Sequence, residues 1–253
     1  PREPKHGFVG RDRELLRLER LFVRERWAVL VGQGGAGKTT LATEFARWML
    51  RTRRFGRLAF VSFEFLSDTR SALDTLGKQL VAPDFSVTTF ENEGKAMLYL
   101  DRALGDYPTL IVLDNLESVL PDVEGNQVPG VEAADKFTAF FQRLLEASDR
   151  TRLLLTTRER MPAPFDRGDR EVRLGALAPR DALRLIAEVM KAEGIPVPSL
   201  NREDLDAQFG ALARTANYHA RALTLLTRAI AERRDGLPGL NADLSALMVE
   251  MER

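Results

Sequence analysis

The sequence predicts an α/β fold followed by a small all-helical domain, and three observations carry that prediction. A short apolar run at 28–31 breaks into the glycine turn GQGGAGKTT at 32–40 and continues as a helix. Near-continuous apolar windows recur at 58–63, 109–113 and 152–157 with helical patterns between them, the alternation expected of an α/β sheet. From Pro179 onward only helical periodicity remains.

Composition narrows the function classes. Lys plus Arg and Asp plus Glu both number 37, so no global field draws the chain to nucleic acid or to a membrane surface. The absence of cysteine excludes disulfides, thiolate metal sites and cysteine nucleophiles, and it fits a reducing, cytoplasmic setting. Two histidines, His6 and His219, are too few for a histidine-rich zinc site. No run approaches the roughly 20 apolar residues of a membrane span, and the start PREPKHGFVG has no secretory core. With no initiator Met, the expectation is a piece of a longer protein.

Taken in order, residues 8–11 (FVGR) precede a helix capped by Asp12 that carries Leu15, Leu18 and Phe22 on one stripe. The apolar strand at 28–31 follows, and then the glycine turn. Its spacing fits G-x-x-x-x-G-K-[ST] at Gly32, Gly37, Lys38 and Thr39, in the strand-to-helix setting of a phosphate-binding loop. Gly34, Gly35 and Gly37 permit a tight turn that brings bare N–H groups to phosphate oxygens. Lys38 supplies a point charge for the β- and γ-phosphates, the Thr39 hydroxyl is a Mg²⁺ ligand, and the helix dipole favours the anion. Gln33, Ala36 and Thr40 complete the candidate nucleotide-binding stretch.

Beyond that helix, Arg47, Arg51, Arg53, Arg54 and Arg57 form a basic cluster, readable as an anion or partner patch or as a solvated helix end. The window 58–63 (LAFVSF) reads as a strand buried on both faces. Helices are expected at 71–80 and 93–104, the second with Ala96, Met97, Leu100 and Leu104 inward, and a loop at 82–90. The run TLIVL at 109–113 ends in Asp114, a carboxylate at a strand's C-terminal edge that can hold Mg²⁺ directly or through water. Turn residues mark 121–131 as a loop close to the nucleotide. A helix at 134–146 turns Phe137, Phe140, Phe141, Leu144 and Leu145 inward. The strand 152–157 ends in Arg158, which either senses a γ-phosphate or is a surface arginine. An edge strand at 171–174 closes the sheet. The helical part then shows four stripes: Leu183, Ile186 and Met190; Leu205, Phe209 and Leu212; Ala222, Leu225, Leu226 and Ile230; and Leu240, Leu244, Leu247 and Met251.

Together these segments resemble the STAND class of P-loop NTPases, of the NB-ARC type and its bacterial members. The matching segments are FVGRDREL at 8–15, GQGGAGKTTLA at 32–42, LIVLDNLE at 110–117, LLLTTR at 153–158 and VRLGALAPRDALRLI at 172–186. The resemblance implies a P-loop NTPase fold with a five-stranded, mostly parallel sheet flanked by helices over 1–170, and a first helical domain over 171–253. It places Val9 and Arg11 near base and ribose, Lys38 and Thr39 at phosphates and Mg²⁺, Asp114 at the metal and Arg158 as reporter of the γ-phosphate. It further implies ATP and ADP as ligands, self-association in the ATP state, and sensor and effector domains outside this chain.

Two departures shape the functional expectation. Asn115 stands where many relatives carry a second acid and cannot act as a general base at neutral pH. Glu117 is then the nearest carboxylate able to orient water, against a plain role as a helix-start acid, and hydrolysis is expected to be slow. Where relatives place a nucleotide-contacting proline, the segment ANYHARAL at 216–223 has Ala220, leaving His219 or adjacent backbone to replace that contact unless His219 is a packed or surface residue. The expected function is an adenine-nucleotide switch with slow Mg²⁺-dependent ATP hydrolysis, the regulatory module of a larger signalling or defence protein. A P-loop kinase and a nucleic-acid-binding transcription regulator are the alternatives, with nucleic acid disfavoured by the balanced charge.

Overall fold

A computed structural model of the chain describes residues 4–120, 131–195, 197 and 202–232. Two compact units emerge, one formed by residues 12–33 and 38–174, the other by the described parts of 4–11, 34–37 and 175–232.

The first unit is a five-stranded sheet of β1 (Trp27–Gly32), β2 (Arg57–Ser62), β3 (Thr109–Asp114), β4 (Thr151–Thr157) and β5 (Glu171–Leu174), in the order β2-β3-β4-β1-β5. Every neighbouring pair is parallel. Parallel neighbours require crossovers, and these are α2 (Lys38–Arg51), α3 (Thr69–Leu80) with α4 (Glu93–Asp106), and α5 (Val131–Glu146); α1 (Asp12–Arg24) leads into β1. Side chains alternate across the sheet. Val29, Val31, Val61, Ile111, Leu113, Leu153 and Leu155 share one core with Leu76, Leu100, Phe137 and Phe141 from α3, α4 and α5. The buried residues Ala28, Leu30, Leu110, Val112 and Leu154 occupy the alternate positions, on the face against which α1 and α2 pack.

β3 is buried at all six positions, as its apolar run predicts. β2 is not buried on both faces. It lies at the sheet edge, with only Ala59 and Val61 fully covered and Phe60 half-buried, because a strand with one neighbour cannot be enclosed from both sides. Its free edge is closed instead by the Gln79 side chain from α3, which accepts from the Phe60 N–H at 2.9 Å and donates to the Phe60 carbonyl at 2.8 Å. A side-chain amide thus stands where a further strand would pair. β5 takes the opposite edge, beside β1, in agreement with the edge-strand expectation.

The basic cluster is dispersed. Arg51 pairs with Glu44 at 2.7 Å, Arg57 lies over the Tyr107 ring at 4.3 Å and donates to the Leu80 carbonyl, and Arg53 and Arg54 are exposed. On α3, Asp74 accepts from the Val87 N–H at 2.9 Å and meets Lys78 at 2.5 Å, tying the helix to the turn at 82–90. The Lys78 ammonium, helped by the Val87 amide, holds the Asp74 carboxyl below its ordinary range, outweighing the opposing effect of burial. A depressed folded-state pKa contributes stability above the unfolded value and loses it as pH falls through the folded one. Asp74→Asn is therefore expected to melt about 2–4 °C lower than wild type at pH 7. Thermal melts over a pH series should show that gap closing once the medium is acid enough to protonate Asp74 in the folded protein.

In the second unit, α6 (Pro179–Ala192), α7 (Arg202–Thr215) and α8 (Ala220–Glu232) pack around Leu183, Ile186, Met190, Phe209, Leu212 and Leu223. Pro179 occupies the first turn of α6, where its missing N–H has no partner to lose. The α8 stripe differs from expectation. Leu223 and Thr227 are fully covered, Leu226 and Ile230 are half-buried, and Leu225 is 55% exposed. The 3.6-residue period admits two neighbouring stripes in this leucine-rich stretch, and packing on α6 selects the one through Leu223. Leu205, the loop expected at 121–131 up to residue 130, and the stripe from Leu240 to Met251 lie outside the described side chains. Among the described residues no helix is long and apolar enough to cross a membrane.

Candidate functional site

In the sheet unit the site gathers at the C-terminal ends of β1, β3 and β4, where strand directions and the start of α2 converge. Ligands in open parallel sheets bind at such ends. Lys38, the first residue of α2, is 8% exposed and donates to the Gly32 carbonyl at 2.7 Å and more weakly to that of Gln33 at 3.4 Å. Its ammonium lies 3.7 Å from Glu117 Oε1. Burial pulls Lys38 below the ordinary lysine value and the Arg158 charge adds to this, while Glu117 and Asp114 oppose it.

Asp114 ends β3 and is buried. The Thr39 hydroxyl sits 3.0 Å from its Oδ1 and 2.9 Å from its Oδ2, and Thr156 donates to Oδ1 at 2.6 Å while accepting from the Asn115 N–H at 3.0 Å. Desolvation raises the Asp114 carboxyl above its ordinary range and the Glu117 carboxylate raises it further; the Thr156 and Thr39 hydroxyls and the Lys38 ammonium oppose the rise. Glu117 pairs with Arg158 Nε at 2.8 Å, and its buried Oε2 has no partner among the described residues. Asn115 adopts a left-handed backbone (φ 64) and its amide donates to Ser118 Oγ at 2.6 Å. Thr40 is half-buried in the first turn of α2, and Gln33 and Thr39 are exposed.

This donor set fits Mg²⁺. A desolvated carboxylate beside a hydroxyl, with no direct bond to a cation among the described residues, is relieved by a hard divalent ion. Among the described residues no group of three or more His, Cys, Asp or Glu forms a metal cage.

In the helical unit lies the crest of the glycine turn, residues 34–37. Gly35 (φ 78) and Gly37 (φ 94) occupy backbone conformations that other residues seldom adopt. A Cβ on Gly35 would also stand 2.7 Å from Arg221 Cβ and 2.8 Å from His219 Cε1. Arg11, 7% exposed, donates through Nη2 to the Gly175 carbonyl at 2.6 Å and to the Ala36 carbonyl at 3.1 Å. Val9 packs against the helical core. The His219 ring reaches the Gly34 carbonyl at 3.0 Å, and the Arg221 N–H donates to the Gly35 carbonyl at 3.2 Å.

The structure thus brings Lys38, Thr39, Asp114, Glu117 and Arg158 together in one unit, and Arg11, the loop crest and His219 together in the other. Sequence reasoning missed Thr156, which anchors Asp114, and Arg221, which is exposed beside the crest. Both had a readable signal: Thr156 lies two residues before Arg158 on the same strand end, and Arg221 is a cation at a helix start next to the singled-out His219.

Comparison with known proteins places this geometry. A family profile described as an AAA domain matches residues 11–158. An uncharacterized WD repeat-containing protein of Nostoc sp. (strain PCC 7120) is 29% identical over 163 residues, which cover 60% of this chain and 13% of that protein. Among solved structures, the Aeropyrum pernix ORC1 protein, determined in complex with DNA, aligns with a TM-score of 0.56 and 19% identity over 91% of this chain and 62% of its own. The STAND protein PH0952 from Pyrococcus horikoshii, which carries a tetratricopeptide repeat sensor, aligns with a TM-score of 0.54 and 19% identity over 90% of this chain and 30% of its own. The chain spans less than two thirds of each of these proteins. The structural likenesses agree in fold, that of a P-loop NTPase.

Proposed function

The chain belongs to the AAA domain family, and from that premise we propose that it is an adenine-nucleotide switch, of the STAND type, with slow Mg²⁺-dependent ATP hydrolysis. One observation carries the reading: the Thr39 hydroxyl lies within 3.0 Å of both oxygens of the buried Asp114 carboxylate, one residue from the Lys38 ammonium. In this reading Lys38 meets the β- and γ-phosphates, Thr39 and Asp114 hold Mg²⁺, and the turn amides bind phosphate oxygens. The ion, when bound, neutralises charge on the transferring phosphoryl group.

Slow turnover follows from the bases at hand. Asn115 is not basic, and Glu117, the nearest carboxylate, is held by Arg158 at 2.8 Å and faces Lys38 rather than standing free for an attacking water. A rate far below the roughly 10 per second of ordinary enzymes is expected, which separates the switch from a kinase or vigorous motor. As a switch it shifts between conformations only if ATP and ADP prefer different ones, with self-association in the ATP state and partner domains supplied by a longer chain.

The decisive experiment denatures the purified protein and chromatographs what it releases, alongside calorimetric titration with ATP, ADP and GTP. Adenine nucleotide released or bound supports the switch; guanine preference, or no adenine nucleotide bound, overturns it. A second reading, DNA binding, is favoured by the likeness to ORC1, a protein solved with DNA, so the expectation against nucleic acid is not retained. Gel shift with plain duplex across a salt series decides it, since phosphate contacts weaken steeply with salt.

A further inference from the structure

We infer that His219 is a positioning residue that sets the glycine turn for phosphate without touching the nucleotide itself. The inference rests on the nucleotide reading above and deepens it. Three consecutive carbonyls of the turn are held by residues of the same unit from outside the turn: Gly34 by the His219 ring at 3.0 Å, Gly35 by the Arg221 N–H at 3.2 Å and Ala36 by Arg11 Nη2 at 3.1 Å. In a trans peptide the carbonyl and the next residue's N–H point in opposite directions. Holding these three carbonyls therefore aims the N–H groups of Gly35, Ala36 and Gly37 the other way, and among the described residues none of the three finds an acceptor. Successive amides left unsatisfied in this way form an anion-binding nest.

His219 is the member whose chemistry is most exposed to change. Its Nδ1 accepts from the Ala222 N–H at 3.3 Å in the first turn of α8, which leaves Nε2 as the protonated nitrogen that donates to Gly34. The neutral ring thus satisfies one of the helix's orphan amides and one turn carbonyl at once, linking the start of α8 to the crest. Gly35 is the residue that makes the approach possible, since a side chain there would collide with His219 and Arg221.

The test compares ADP affinity by calorimetry in wild type, His219→Phe and His219→Gln, together with the nitrogen shifts of the wild-type imidazoles. Phenylalanine keeps the ring's bulk and removes the donor; glutamine carries an N–H at the reach of Nε2. The expected result is about tenfold weaker ADP binding for Phe and recovery to within about threefold of wild type for Gln. ADP affinity unchanged in Phe, or Gln as weak as Phe, overturns the inference. With two histidines in the chain the wild-type spectrum is simple, and an Nδ1–H tautomer at His219 overturns it too, even if the Phe variant does not fold. Failure of the wild type to bind ADP is a separate outcome that removes the nucleotide reading, and this inference with it.

Discussion

Asp114→Asn is expected to stabilise the nucleotide-free protein while removing the contribution proposed for magnesium. The carboxylate is buried, and its folded-state pKa is raised chiefly by desolvation and secondarily by Glu117. For an acid with a raised folded pKa, the cost of burying the charge is fully present above that pKa. The cost disappears as pH falls through the window down to the ordinary value of about 3.9. Asparagine removes the charge and keeps acceptor and donor groups for the Thr39 and Thr156 hydroxyls, which can rotate to suit. Melting about 2–4 °C above wild type is expected at pH 7.5, shrinking toward zero on acidification. ATP hydrolysis should fall by about two orders of magnitude while metal-free nucleotide binding changes little. Thermal melts over pH and phosphate release measure both arms; equal ATP turnover in the variant contradicts the metal role proposed for Asp114.

Lys38→Ala is expected to raise the ATP dissociation constant about a hundredfold with little change in folded stability. The ammonium is buried, so removing it relieves a desolvation cost that pulls its pKa down. The same change leaves the Gly32 carbonyl without its donor and Glu117 with Arg158 alone, and these losses offset the relief. Binding has no such compensation, because polyphosphate would lose the point charge proposed for it. Calorimetry with ATP and a melt without it separate the two quantities. A large fall in melting temperature would show that Lys38 serves the fold, contrary to the role proposed for it.

The strand windows and the glycine turn were legible because their signals are local. Four apolar residues before GQGGAGKTT, and TLIVL before Asp114, specify strand, turn and carboxylate within a few residues of one another, and both segments fold as read. The position of β2 was not legible. LAFVSF reads as fully buried, yet only the strand order decides that it has a single neighbour and that Gln79 covers its outer edge. Within the α8 stripe only Leu225 departs, for a related reason: period alone does not choose between Leu223 and Leu225 in a leucine-rich helix, while Ala222, Leu226 and Ile230 do pack against the core.

The chemistry of the site divides the same way. Sequence alone determined which residues bring charge, hydroxyl and backbone freedom to the proposed site: Lys38, Thr39, Asp114 and the glycines at 34, 35 and 37. Tertiary structure alone decided their state. It buried Asp114 under Thr156, engaged Glu117 with Arg158, and set Arg11 and His219 on the carbonyls of the turn. Residue type is fixed by covalent chemistry, but protonation and hydrogen-bond direction depend on what lies within a few ångströms, and those neighbours arrive from 25 to 185 positions away along the chain.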